Sequence, residues 1–230
     1  MSVEYQIIGS TMPVAECRLR AGETLQCQSG AMKYMDADVS MKTGVQGGLG
    51  GFLKRKAMGE SGFLNYYTAE RNGARVAVGH TFPGTILPVD VGAVSYICQR
   101  RAFLAAESDV ELEVAIQRKL GVGFFGGEGF VMQKLKGRGT AFLEIDGELI
   151  EMNLSSGERL KVETGALAAM ESSVRFDIER VKGMSNFLFG GEGLFLTTIE
   201  GPGKVWLQTM SIQSLAGELH PYLPSRRSSS

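Results

Sequence analysis

The histidines of this 230-residue chain are His80 and His220. Neither has a cysteine, an aspartate or a second histidine at the spacing that holds zinc. Each reads as a surface or turn histidine, and no metal is expected. Gly121-Val122-Gly123-Phe124-Phe125-Gly126 fits G-x-G-x-x-G. That pattern cradles a pyrophosphate only where it joins a strand to a helix inside a βαβ unit. Its flanks here are β-patterned, so no dinucleotide cofactor is expected. Neither a Walker loop nor a nucleophile elbow occurs. With no catalytic, metal or cofactor residues assigned, the chain is expected not to be an enzyme.

Other groups draw attention because they recur. Glu60, Glu128 and Glu192 sit in the glycine-rich turns GESGF, GGEGF and GGEGL. They could form three quasi-equivalent binding carboxylates. The simpler account has each accept backbone N–H bonds inside its own turn. No second acid is seen to recur at a fixed partner position, so paired acid–base chemistry has no support. Beside the turns lie Leu49, Phe52 and Leu53, then Phe124 and Phe125, then Phe187, Leu188 and Phe189. Their recurrence favours plugging a joint between subunits over contact with a membrane or another partner. Basic residues cluster at Lys54-Arg55-Lys56, Arg100-Arg101 and Arg118-Lys119, and Lys134, Lys136 and Arg138 alternate along one run. A basic stripe suits RNA, but Thr198, Glu200 and Pro202 stand at the matching places of a later copy and break it.

The elements that must carry these residues are short strands, and they repeat. Displaced by 64 residues, segment 102–143 lies on 166–207 without a gap, and 13 of the 42 positions are identical. A shift of 135 lays GETLQCQSGAMKYMDADV (22–39) on GERLKVETGALAAMESSV (157–174). The expected organisation is a lead-in strand plus a first β repeat over 1–80, a second repeat over 84–149 and a third over 150–215. A disordered tail over 221–230 follows. Alternating apolar and polar residues predict strands at Val110–Val114, at Val174–Ile178 and around Val39 and Met41. Leu112 to Leu120 also fits a short amphipathic helix, but the strand is preferred, with room for a helical turn near 115–120. Asn72-Gly73 and Asp146-Gly147 read as two-residue hairpin turns.

Composition sets the remaining bounds. A net charge of −1 offers no overall field for nucleic acid or anionic lipid. Glycine, at 31 residues, is about twice its usual ~7% share, and it clusters between β-patterned runs as turns and bulges do. Three cysteines, Cys17, Cys27 and Cys98, lack metal-ligand spacing and point to a reducing compartment. MSVEYQIIGS has no basic-then-apolar pattern, and no apolar run nears the ~20 residues of a spanning helix, so the cytoplasm is expected.

These tandem copies, with SGAM and TGAL after GETL and GERL, and the FGGEG and GESGF turns, resemble the bacterial branch of the altered-inheritance-of-mitochondria family. The resemblance runs from about residue 3 to 215 and is carried by structural glycines. It implies an all-β fold of three double-stranded-β-helix-like units, similar to the trp RNA-binding attenuation protein. By that analogy three chains would make a nine-unit ring. The analogue's tryptophan and RNA residues find no matching positions here.

A unit of ~65 residues cannot cover its own sheet edges, so copies are expected to pack side by side, within and between chains. The leading expectation is a non-enzymatic β-ring scaffold or interaction protein, a homo-oligomer with a trimer favoured. An RNA-binding ring, a protein binding a small ligand between repeats and a peripheral membrane partner are the alternatives.

Overall fold

A computed structural model describes residues 2–44, 64–79, 81–118, 130–180, 195–219 and 222–223. Among these, nineteen strands, two single-turn 3-10 helices (Arg100–Ala102 and Thr164–Ala166) and one short α-helix follow one another. A lead-in strand, β1 (Glu4–Ile8), precedes β2 (Val14–Leu19), β3 (Thr24–Gln28), β4 (Met32–Met35), β5 (Val39–Gly44), β6 (Leu64–Ala69) and β7 (Ala74–Gly79). Six strands follow: β8 (Gly84–Asp90), β9 (Tyr96–Gln99), β10 (Phe103–Glu107), β11 (Val110–Arg118), β12 (Phe130–Gly137) and β13 (Thr140–Asp146). The last six are β14 (Leu149–Leu154), β15 (Arg159–Glu163), β16 (Leu167–Glu171), β17 (Arg175–Arg180), β18 (Phe195–Glu200) and β19 (Gly203–Gln208). Helix α1 (Ile212–Leu219) closes the described chain, and the Ser211 hydroxyl caps it by accepting the Ser214 N–H at 3.1 Å.

The fold is all-β, in four antiparallel sheets. Their strand orders are β1-β2-β7-β4, β5-β6-β3-β10-β13-β8, β11-β12-β9-β16-β19-β14 and β15-β18-β17. Each block of six strands pairs internally in the same way. The trios β2-β7-β4, β8-β13-β10 and β14-β19-β16 correspond, as do β5-β6-β3, β11-β12-β9 and β17-β18-β15. Two joints, β3 with β10 and β9 with β16, fuse the second trio of one block to the first trio of the next. Even irregularities match. The ladder slips between Met32 and Tyr34, between Phe103 and Ala105, and between Leu167 and Ala169, at the same step of each block.

Strand composition follows strand position. On β17, Phe176 and Ile178 turn inward while Arg175, Asp177 and Glu179 stay exposed, as expected for a strand wet on one face. On β13 every residue from Thr140 to Ile145 is buried, because neighbouring strands flank it and apolar cores cover both faces. Its side chains divide between two cores: Phe142 enters the first, and Ala141, Leu143 and Ile145 enter the second. The stretch from Val110 to Arg118 is strand throughout, paired with β12 across one bulge, so the helical alternative falls. Cross-strand partners from Phe130 to Gly137 outweigh its helical periodicity.

Both hairpin expectations are corrected. Asn72-Gly73 joins β6 to β7, and Asp146-Gly147 joins β13 to β14, yet in each case the two strands lie in different sheets. Gly73 (φ 73°) and Gly147 (φ 71°) do adopt the left-handed turn conformation. The bend fits the dipeptide, but longer-range partners decide the pairing.

Three apolar clusters fill the space between sheets. The first gathers Leu19, Leu25, Tyr67 and Val76 and also takes Ile86, Leu104, Ala105 and Phe142 from the second block. The second gathers Tyr96, Leu112, Leu135 and Leu143 and takes Ala168, Ala169 and Trp206 from the third. Leu104, Ala105 and Phe142 correspond to Ala168, Ala169 and Trp206, 64 residues apart, whereas Ile150, the counterpart of Ile86, is exposed. The third cluster holds Val162, Met170, Ile199 and Val205 with Phe130 and Met132 of the second block. No described helix is long and apolar enough to cross a membrane.

Candidate functional site

Most residues singled out from the sequence lie outside the described residues. Lys54, Arg55, Lys56 and Glu60 fall within 45–63, Phe124, Phe125 and Glu128 within 119–129, and Phe187, Phe189 and Glu192 within 181–194. Leu49, Phe52, Leu53, Lys119, Leu188, His80, His220 and most of the 221–230 tail are outside as well. Of the alternating basic run, Lys136 is described with partners: its ammonium meets Glu113 at 2.8 Å and Glu111 at 3.2 Å on the paired strand β11. This cation is locally compensated. Among the described residues, no group of three or more His, Cys, Asp or Glu side chains could hold a metal ion.

The described residues instead place their polar chemistry at strand joints. At β3·β10 the buried Gln26 side chain donates across the joint to the carbonyl oxygens of Glu107 and Val110. Gln28 donates to the Glu144 carboxylate at 2.7 Å. At β9·β16 the Gln99 amide donates to the carbonyls of Thr164, Gly165 and Leu167, and Gln208 shares the Gly165 carbonyl at 2.8 Å. The bonds from Gln26, Gln99 and Gln208 end on backbone carbonyls at the joints. Between the joints lies a cavity of ≈ 20 Å³, the space of a single water, lined by residues that include Gln99, Arg101, Glu144, Asp146 and Gln208.

One acid per block accepts a backbone N–H from a corresponding place. Asp36 accepts the backbone N–H of Arg75, Glu107 that of Thr140, and Glu171 that of Lys204. These acids end or follow β4, β10 and β16, and each ties its strand to the start of the block's last strand. Aligning 22–39 with 157–174 already superposes Asp36 on Glu171, but the acceptors are backbone groups, which no side-chain pattern reports.

Glu144 lies apart from these acids, buried beside the β3·β10 joint. It is 6% exposed, and burial pushes its carboxyl up from 4.5 to about 6 despite hydrogen bonds from Gln28 and the Thr81 N–H. The folded chain thus keeps a proton over the interval in which the unfolded chain has released it. The contribution of Glu144 to stability is therefore most favourable below pH 4.5 and declines as pH rises to about 6. Above that the cost of burying the anion, on the order of 2 kcal/mol, is fully present. The third block carries Gln208 at the corresponding position. Glu144→Gln is therefore expected to raise the unfolding free energy by about 1–2 kcal/mol at pH 8 and by little at pH 4, measured by urea titration at both values.

The outer strands of the end sheets carry charged networks. At β4, the Tyr34 hydroxyl donates to Glu16 at 2.6 Å and holds that buried carboxyl below its ordinary range. The Arg75 guanidinium does the same for Asp36, and Arg71 bridges Asp36 and Asp38. At β15, Glu200 lies between Arg159 and Arg175 and is lowered first by Arg159. The thiols of Cys17, Cys27 and Cys98 are free and buried; burial raises Cys17 and Cys98 to about 12 and Cys27 well above its ordinary value. They pack as small apolar groups, without the thiolate character that reactivity requires.

A model of the Mitochondrial biogenesis AIM24 family matches residues 5–210, from the lead-in strand to just past β19. The chain belongs to that family. The AIM24 match takes in all three strand blocks and both joints. An uncharacterized protein of Streptococcus pyogenes serotype M6 is 28% identical over 222 residues, spanning 93% of this chain and 88% of its relative. The crystal structure of a Streptococcus pyogenes protein, from a structural-genomics consortium, superposes with a TM-score of 0.79 at 23% identity. It covers 96% of this chain and 100% of its own. That likeness shows the fold in a second protein.

Proposed function

We propose that this chain is a non-enzymatic scaffold built of three copies of one six-strand module, which assembles head to tail into a closed β-ring. The carrying observation is the pair of edges the chain leaves. Inside it, the second strand of each block meets the third strand of the next: β3 takes β10, and β9 takes β16. Among the described strands β15 has no later block to take, and β4 has no earlier one. An edge strand with unpaired backbone groups is a template for another chain. Here each end presents what the other end's internal counterparts pair with.

The third core supports the same reading. The first two cores are each closed by side chains from the following block, three of them at corresponding places, and the third awaits the equivalent from a second copy. A head-to-tail contact of this kind adds copies until it closes. With three modules per chain, a trimer is the favoured closure. The scaffold reading, as against catalysis, draws on the commitments of the described polar groups: Asp36, Glu107, Glu171, Gln26 and Gln99 are spent on backbone hydrogen bonds. Three buried thiols suit a reducing cytoplasm. Partners beyond a second copy would be recruited by the assembled ring.

Light scattering on the purified protein is expected to return three times the 24.8 kDa chain mass. A monomer at micromolar concentration would sink the proposal.

A further inference from the structure

We infer that the Glu163 carboxylate of one copy pairs with the Lys33 ammonium of the next, and that this ion pair sets the direction of assembly. The inference rests on the head-to-tail reading and adds its register and chemistry.

Both internal joints share one register. Leu25, Gln26 and Cys27 face Glu107, Ala106 and Ala105; Tyr96, Ile97 and Cys98 face Glu171, Met170 and Ala169. One residue further, Gln28 comes opposite Leu104 and Gln99 opposite Ala168, each the residue at its strand's bulge. The bulge residue of β4 is Lys33, between Met32 and Tyr34. On β15, Glu163 occupies the place of Gln28 and Gln99. It pairs with Leu196 of β18 as Gln28 pairs with Leu64 of β6 and Gln99 with Met132 of β12. Laying β15 on β4 in the common register sets Val162 against Tyr34, Lys161 against Met35, and Glu163 against Lys33.

Side-chain geometry points the same way. Gln28 crosses its joint to reach Glu144. In the first block, Gly79 stands where Glu144 stands in the second: it follows Val78, the partner of Met32, as Glu144 follows Leu143, the partner of Phe103. The Lys33 side chain covers Gly79 so closely that an added Cβ would lie 2.6 Å from its Cε. Lys33 therefore fills the space that Glu144 fills elsewhere, and Glu163 of an incoming copy meets an ammonium where Gln28 meets a carboxylate. Lys33 and Glu163 are both exposed, and neither has an ion pair or side-chain hydrogen bond among the described residues. Reversed docking would set Lys33 against Lys33 or Glu163 against Glu163. Opposite charges at matched positions favour head-to-tail contact and penalise the alternatives.

The test measures native mass by light scattering for the wild type, K33E, E163K and the double reversal K33E/E163K, with circular dichroism confirming folded β structure in each. Either single reversal is expected to raise the dissociation constant on the order of a hundredfold, populating monomer, and the double reversal to restore assembly. An assembled wild type with unchanged singles, or singles that dissociate without rescue, would overturn the ion pair and leave the ring reading standing. A monomeric wild type would remove both.

Discussion

Replacing Phe142 with alanine is expected to lower the unfolding free energy by about 3–5 kcal/mol, with a matching fall in the urea midpoint and little change in its slope. Phe142 belongs to β13 in the second block, yet it is fully buried in the core of the first. The Tyr5 ring of the lead-in strand meets it edge to face, at 5.1 Å between centroids and 86° between planes. Removal opens a cavity where two blocks and the lead-in strand converge, and neighbours on a paired sheet cannot collapse far into it. Because that core is shared, the loss should destabilise both blocks in one transition. Two separated transitions, only the first sensitive to the substitution, would show that the blocks fold independently and that the shared core does not couple them.

Glu107→Ala is expected to cost about 2–4 kcal/mol, on the ground that it strands two buried backbone donors at ~1–3 kcal/mol each. The Glu107 carboxylate accepts the Val3 N–H at 3.0 Å through one oxygen and the Thr140 N–H through the other. Val3 and Thr140 are 5% and 6% exposed, so water replaces the carboxylate poorly at either. Glu107→Gln keeps one acceptor oxygen and should recover about half of the loss. Amide hydrogen exchange separates this account from a general loosening: Val3 and Thr140 should lose protection ahead of their neighbours. Equal loss across β1 and β13 would count against the specific role given to the carboxylate.

These two residues show how differently side chains register in a sequence. Phe142 and Trp206 fall on each other at the 64-residue shift as one large aromatic for another, so their corresponding burial is visible in the pattern. Glu107 and Glu171 superpose equally well, but their acceptor role is hidden because the partners are main-chain N–H groups 33 residues away. Among the flagged candidates, the glycine-loop residues fall outside the described segments. The joints drew no attention, since Gln28 and Gln99 form no motif and reach Glu144 and the 164–167 carbonyls only through folding.

From composition and order of residues alone came the all-β character, the places of many strands and turns, the 64-residue correspondence and the family. These depend on local rules: alternation with period two, left-handed glycine conformations and the matching of like with like. Tertiary structure decided which strands pair, sending β6 and β7 into different sheets despite Asn72-Gly73, and β13 and β14 likewise despite Asp146-Gly147. It also decided which edges stay open. A turn dipeptide sets the angle at which the chain leaves a strand, whereas partners are chosen by burying both faces of every sheet at once, a balance summed over residues far apart in the chain.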